Sequence, residues 1–221
     1  KAFIYMVLGA VIGARLGHVF FYDWDYYAKH LGEIPQIWKG GLASHGGAIG
    51  IILALWIYSR TVTKKSILWI LDKVVVPTAL AGAFIRTGNL MNSEILGKPT
   101  DVAWAFIFER VDPGTPRHPV QIYEAIAYLI IFVILYRVYW KTDARRKPGF
   151  IFGLFLAVLF SARFFLEYFK SSQGGFEVAF NDVFSTGQLL SIPFVLAGLY
   201  FIFRPVEKRS TQVKMPKKKR K

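Results

Sequence analysis

Six apolar blocks, separated by short polar stretches, dominate this 221-residue chain. They run approximately Ala2–Tyr22, Gly47–Tyr58, Ser66–Ile85, Pro119–Tyr139, Gly149–Phe169 and Gly187–Phe203. A helix of about 20 residues crosses the roughly 30 Å of bilayer hydrocarbon. A backbone in lipid must satisfy its own N–H and C=O groups, so spans of this composition are helices. The second block is short and needs Leu42–Gly46 to complete it. The pattern predicts an all-α fold: a polytopic membrane helix bundle of about six transmembrane helices with a small extracytoplasmic loop region.

Composition agrees, because 54% of the residues are hydrophobic and 17% aromatic. The formal charge of +14 would suit nucleic acid, but its distribution argues against that. Lys and Arg gather in Arg60–Lys65, Lys141–Lys147 and Arg204–Lys221, each just after an apolar block. Basic residues in alternate loops are the positive-inside pattern. A nucleic-acid binder would carry a basic face on a soluble fold, so no nucleic-acid partner is expected. With these clusters cytoplasmic, Asp23–Ser44, Arg86–His118 and Lys170–Ser185 become loops on the opposite side.

The chain contains no cysteine. Disulfides, thiolate metal sites and an enzyme-borne thiol nucleophile are therefore excluded. No cofactor is called for, and no metal-ligand set is evident. Residues 1–205 read as one transmembrane catalytic domain. Residues 206–221 read as a basic cytoplasmic tail, disordered and resting on anionic lipid; its Lys-Lys-Lys-Arg-Lys end resembles a nuclear-import signal that a polytopic chain would not use. Between Lys98 and Arg117, Val102–Phe108 reads as a short strand ended by a turn at Asp112-Pro-Gly.

Polar residues at the edges of these blocks carry the chemistry. Arg86, Asn89, Asn92 and Glu94 crowd into Arg86–Gly97 directly after an apolar run, where ionisable groups are costly and usually face a cavity. The structural alternative is a polar interfacial turn around Gly88 and Gly97. His45-Gly46-Gly47 opens a helix, where small residues admit a ligand and free N–H groups attract anions. A tight turn holding a satisfied His explains it equally. Arg117-His118-Pro119 leads into Gln121, Tyr123 and Glu124, with Pro119 in the first helical turn and Gln121 and Glu124 on one face. Arg163 and Glu167 stand four apart in an otherwise apolar block, as a self-neutralising pair or as a phosphate fork with its carboxylate. Together these groups suit an anionic head group whose acyl chains stay in the bilayer.

Taken in order, these motifs carry a resemblance. His45-Gly-Gly47, Arg86-x-Gly-Asn89-x-x-Asn92-x-Glu94-x-x-Gly97, Arg117-His-Pro-x-Gln-x-Tyr-Glu124 and Arg163-x-x-x-Glu167 resemble the bacterial phosphatidylglycerol–prolipoprotein diacylglyceryl transferase family. Gly13-Ala-Arg-Leu-Gly17, Phe20-Phe-Tyr22 and Gly187-Gln-Leu-Leu-Ser191 extend the likeness over nearly the whole chain before its tail. The resemblance implies a seven-helix inner-membrane enzyme that moves diacylglyceryl from phosphatidylglycerol to the lipobox cysteine thiol of a prolipoprotein, releasing glycerol 1-phosphate. It makes Arg86 and Arg163 the essential arginines. It associates His45, Asn89, Glu94, Gly97, His118 and Glu167 with activity or the lipid site. The family's first helix, which carries a Tyr at the lipid site, has no counterpart before Lys1, and a chain without an initiator Met reads as a fragment. Where the family often has Tyr one turn before the second Arg, this chain has Leu159.

The expected assignment follows. Arg86, Arg163, His45 and His118 are catalytic: the arginines hold phosphate, and His45, or failing it His118, removes the thiol proton. Asn89, Asn92, Glu94, Gly97, Gly46, Gly47, Gln121, Tyr123, Glu124 and Glu167 bind substrate, with Glu94 and Glu167 orienting the arginines. The partners are phosphatidylglycerol, a prolipoprotein signal peptide with its lipobox cysteine, and membrane lipid. The location is the bacterial inner membrane, with the site extracytoplasmic and the C-terminus cytoplasmic. A transporter would show repeat symmetry and broken helices in both halves; a scaffold would not need such a cluster.

Overall fold

The structure is a computed structural model describing residues 1–171 and 185–205. The basic tail and most of the loop expected at Lys170–Ser185 lie outside the described residues. Among the described residues, five helical segments have the length and apolarity to cross a membrane: Ala2–Phe21, His45–Thr63, Ile67–Met91, Val120–Lys141 and Phe150–Phe169. A sixth, Gly187–Phe203, is apolar but shorter. The helical membrane fold is thus as expected. The chain divides into two compact units, Lys1–Thr78 and Ala79–Lys221.

In the first unit, α1 (Ala2–Phe21) packs on α3 (Ser44–Tyr58), with the short α2 (Trp24–Tyr27) between them in sequence. Gly9, Gly13 and Gly17 on α1 face Gly46, Gly50 and Ala54 on α3. A Cβ on Gly13 would overlap the Gly46 carbonyl, and one on Gly50 the Gly9 carbonyl. Lipid removes the hydrophobic drive between helices, so close backbone approach and dispersion hold such a pair. Helix α3 runs on through a π-helical turn at Ser59–Thr63 and ends at Lys64, whose φ is +52°. The helix α4 (Ile67–Met91) follows.

The second unit contains the C-terminal part of α4, a hairpin, α5 (Val120–Lys141), α6 (Phe150–Leu166) and α7 (Thr186–Phe203). Helices α6 and α7 repeat the small-residue solution: a Cβ on Gly198 would meet the Ala157 backbone, and one on Gly153 the Gly198 carbonyl. A capping box starts α7, where Ser185 Oγ accepts from Gln188 N at 3.2 Å and Ser185 N donates to Gln188 Oε1 at 3.0 Å. Gln188 Nε2 also donates to the Phe164 carbonyl, tying this start to the end of α6.

Two local expectations are corrected. The α4 helix does not stop at Ile85 but continues to Met91, so Arg86 and Asn89 stand on a helix rather than in a loop. Their i,i+3 spacing lets Arg86 Nη1 donate to Asn89 Oδ1 at 3.2 Å, which supports the extra turn. The hairpin pairs β1 (Phe106–Phe108) with β2 (Asp112–Arg117), so the strand begins later than expected and Asp112-Pro-Gly opens β2 instead of turning the chain. Prolines are tolerated there because a two-stranded ribbon has only edges. Asp112 is occupied by its own strand, accepting from Thr115 Oγ1 at 3.0 Å and Arg117 Nε at 2.6 Å.

Candidate active site

One end of the second unit gathers the end of α4, the start of α5, the end of α6 and the start of α7. At its centre is Glu124, fully buried at 0% exposure. Arg86 Nε lies 2.9 Å from one of its oxygens and Lys170 Nζ 2.9 Å from the other. Lys170, itself 7% exposed, also reaches Glu167 Oε2 at 3.0 Å. The result is an alternating row, Arg86–Glu124–Lys170–Glu167. A buried charge is tolerated only when paired, and here every member is. The Glu167 carboxylate rests against the α-carbon of Gly187 in the first turn of α7, where a helix start favours an anion.

Glu94 is reached by a second route. Asn89 passes from Arg86 to Glu94, donating from Nδ2 to Glu94 Oε2 at 2.6 Å, and Asn92 Nδ2 donates to Oε1 at 3.4 Å. Ser93 and Ile95 on either side of Glu94 hold left-handed φ of +56° and +58°. That conformation is costly for a β-branched residue. The chain is held there by Glu94 N donating to the Asn89 carbonyl at 2.9 Å and by Gln121 Nε2 donating to the Glu94 carbonyl at 2.6 Å. Arg86 spends Nε on Glu124 and one Nη1 hydrogen on Asn89. Among the described residues its guanidinium forms no other ion pair.

Gly97 is a crossing point. Its carbonyl accepts from Arg117 Nη1 at 2.9 Å and Ser171 Oγ at 2.9 Å, and a Cβ there would strike the His118 carbonyl. The requirement for glycine is therefore the close passage of His118. The imidazole of His118 packs edge-on to Phe169, with Nδ1 3.2 Å from the Tyr123 hydroxyl. The hydrogen bond from Arg117 beside Asp112 holds that carboxyl below the usual carboxylate range, with Thr115 contributing.

Arg163 lies in the last turn of α6. The expected pairing with Glu167 is not formed: Glu167 takes Lys170 instead, and among the described residues Arg163 has no ion-pair partner. Glu167 caps the end of α6 with its backbone N–H still bonded to the Arg163 carbonyl, so the i,i+4 spacing persists and it is the Lys170 ammonium that takes the carboxylate.

The first unit holds His45 in the opening turn of α3, its ring 5.5 Å from Tyr22 and 6.1 Å from Phe21. His18, Tyr22, Leu42, Ala43 and His45 line a cavity of about 300 Å³. Gly46 and Gly47 are buried toward α1: Gly46 packs on Gly13 and Gly17, and Gly47 faces Ala10 and Ala14. The close approach of α1 requires glycine at Gly46, where a Cβ would strike the Gly13 carbonyl.

Sequence reasoning missed several groups. Lys170 looked like an ordinary cation flanking a membrane segment. Arg15, a charge inside the apolar α1, was the readable signal of another. It is 3% exposed and donates to the carbonyls of Glu33, Ile34, Gly40 and Gly41, at 2.6 to 3.2 Å, clamping the loop above His18. Among the described residues no group of three or more metal-ligating side chains forms.

The sequence model of the family described as prolipoprotein diacylglyceryl transferase matches residues 1–204. A phosphatidylglycerol–prolipoprotein diacylglyceryl transferase of Chloroherpeton thalassium is 52% identical over 206 residues, covering 93% of this chain and 75% of that protein. Proteins of the same name from Porphyromonas gingivalis and Tolumonas auensis are 50% and 47% identical, over 95% of this chain and 78% and 80% of their own lengths.

Proposed function

The chain belongs to the prolipoprotein diacylglyceryl transferase family, and from that membership and the buried cation cluster we propose how its residues divide the work. It is a transferase of the bacterial inner membrane, moving the diacylglyceryl group of phosphatidylglycerol to a prolipoprotein. The acceptor is the lipobox cysteine thiol beside the signal peptide. The new bond is a thioether between its sulfur and the glycerol carbon. The C–O bond to phosphate breaks, and glycerol 1-phosphate leaves. The site faces the extracytoplasmic side, the C-terminus lies in the cytoplasm, and residues 1–205 act as one catalytic domain.

A thiol with pKa near about 8.5 is only partly ionised at neutral pH, so attack gains from a base. We assign that base to His45, with His118 the second candidate. Negative charge grows on the departing phosphate, and fixed cations aimed at it lower the barrier. Arg86 and Arg163 take that role. The observation that carries this reading is Arg86: it is held by Glu124 and Asn89 with part of its fork unspent. Asn89 and Asn92 hold the glycerol, and Glu94 fixes Asn89.

Purified protein incubated with phosphatidylglycerol and a lipobox peptide should yield a diacylglyceryl adduct on cysteine, read by mass spectrometry. The adduct should vanish with Arg163→Ala. An adduct that persists in that variant removes Arg163 from the mechanism; no adduct from the wild-type protein refutes the transferase reading.

A further inference from the structure

Trp104 is 61% exposed, so it is not placed by burial in a core. Its indole nevertheless makes a short bond, Nε1 donating to the Tyr123 hydroxyl at 2.7 Å. That same hydroxyl lies 3.2 Å from His118 Nδ1. Tyr123, His118 and Phe169 pack mutually edge-on, with ring centroids 5.1 to 6.1 Å apart, which holds the hydroxyl and the imidazole in register. His118 is further fixed by its backbone N–H donating to the Lys98 carbonyl.

Donor chemistry gives this row a direction. An indole N–H only donates, so the Tyr123 oxygen is the acceptor of the first bond. The phenolic proton is still available to donate, and His118 Nδ1 lies 3.2 Å away, in place to accept it when that nitrogen is unprotonated. A neutral imidazole carries one N–H, and the bond at one nitrogen sets the proton on the other. We propose that Trp104 is a positioning residue which, through Tyr123, keeps neutral His118 protonated at Nε2. His118 is then a hydrogen-bond donor toward an anionic oxygen of the substrate, not the base that takes the thiol proton. This rests on the transferase reading for the identity of the oxygen, a phosphate or leaving-group oxygen, but not for the tautomer.

The test is nitrogen NMR of ¹⁵N-histidine-labelled protein in lipid, with the His118 signals among the chain's 4 histidines assigned by their loss in His118→Asn. The expected wild-type spectrum shows His118 protonated at Nε2. Trp104→Phe should give a mixture of tautomers, and Tyr123→Phe should abolish the preference. In the adduct assay Trp104→Phe should lower kcat by roughly 5-fold with KM unchanged, the effect of one lost hydrogen bond. A wild-type His118 protonated at Nδ1, or a tautomer unmoved in both variants, overturns the proposal. An Nδ1-protonated wild type overturns the proposal even if a variant fails to fold. Nε2 protonation without adduct formation would sink the transferase reading and leave the tautomer assignment standing.

Discussion

Glu124 holds Arg86 at 2.9 Å while admitting no solvent, so the cation that opens the motif Arg86–Gly97 is anchored by a residue 38 positions further along the chain. The same carboxylate binds Lys170. Two cations thus lean on one anion, and Glu167 restores the balance.

Glu124→Gln should leave Arg86 without its buried counter-charge, while Lys170 keeps Glu167. Breaking a buried pair in this way costs roughly 3–5 kcal/mol, readable as a fall in unfolding temperature in detergent. Lys170→Met should also destabilise and lower turnover. Lys170→Arg should restore both, because a guanidinium can bridge two carboxylates. Equal loss in Lys170→Met and Lys170→Arg would show that charge at this position is not what matters.

Arg86 and Arg163 should fail differently. Arg163 has no ion-pair partner among the described residues, so Arg163→Lys should fold with wild-type stability and lose turnover by about 100-fold or more. Arg86→Ala should lose activity and also stability, because it removes one of the two cations on the buried Glu124. Thermal unfolding beside the adduct assay separates them; a destabilised Arg163→Lys would contradict the contrast.

Gly50→Leu should force α1 and α3 apart, since even a Cβ would overlap the Gly9 carbonyl. Overpacking of this kind costs roughly 1–3 kcal/mol, with more for a backbone clash. Gly88→Ala meets nothing within 4 Å and should leave stability unchanged or slightly raised. Similar unfolding temperatures for the two variants would argue against the tight helix pair.

The hairpin should loosen in acid. The Asp112 carboxyl sits below its ordinary value of 3.8 because Arg117, then Thr115, hydrogen-bond to it. A group depressed in the folded state stabilises above its unfolded pKa, and that contribution is lost as pH falls through the folded value. Amide exchange in β2 should therefore gain protection as pH rises toward about 4 and level off above it, once intrinsic exchange is corrected for. Asp112→Asn should flatten that dependence; an unchanged profile would remove the Arg117–Asp112 bond as its cause.

Much of the fold was legible in the order of residues. Long apolar blocks must become helices because lipid offers no partner to an open backbone. The motif order carried the family, and Arg86, Asn89, Glu94, Gly97 and His118 do converge on one end of the second unit. What sequence could not supply was the pairing. Spacing suggested Arg163 with Glu167, since i and i+4 meet on a continuous helix, but the Glu167 carboxylate turns to Lys170 although the helical backbone bond to Arg163 is kept. Gly46 looked like room for a ligand, and its lack of a side chain also admits α1. Glu124 looked like a helix-start carboxylate and is instead the buried anion that two cations share. Periodicity and composition act locally and are written along the chain. Which charge neutralises which, and what a glycine makes room for, depends on neighbours brought together only by packing.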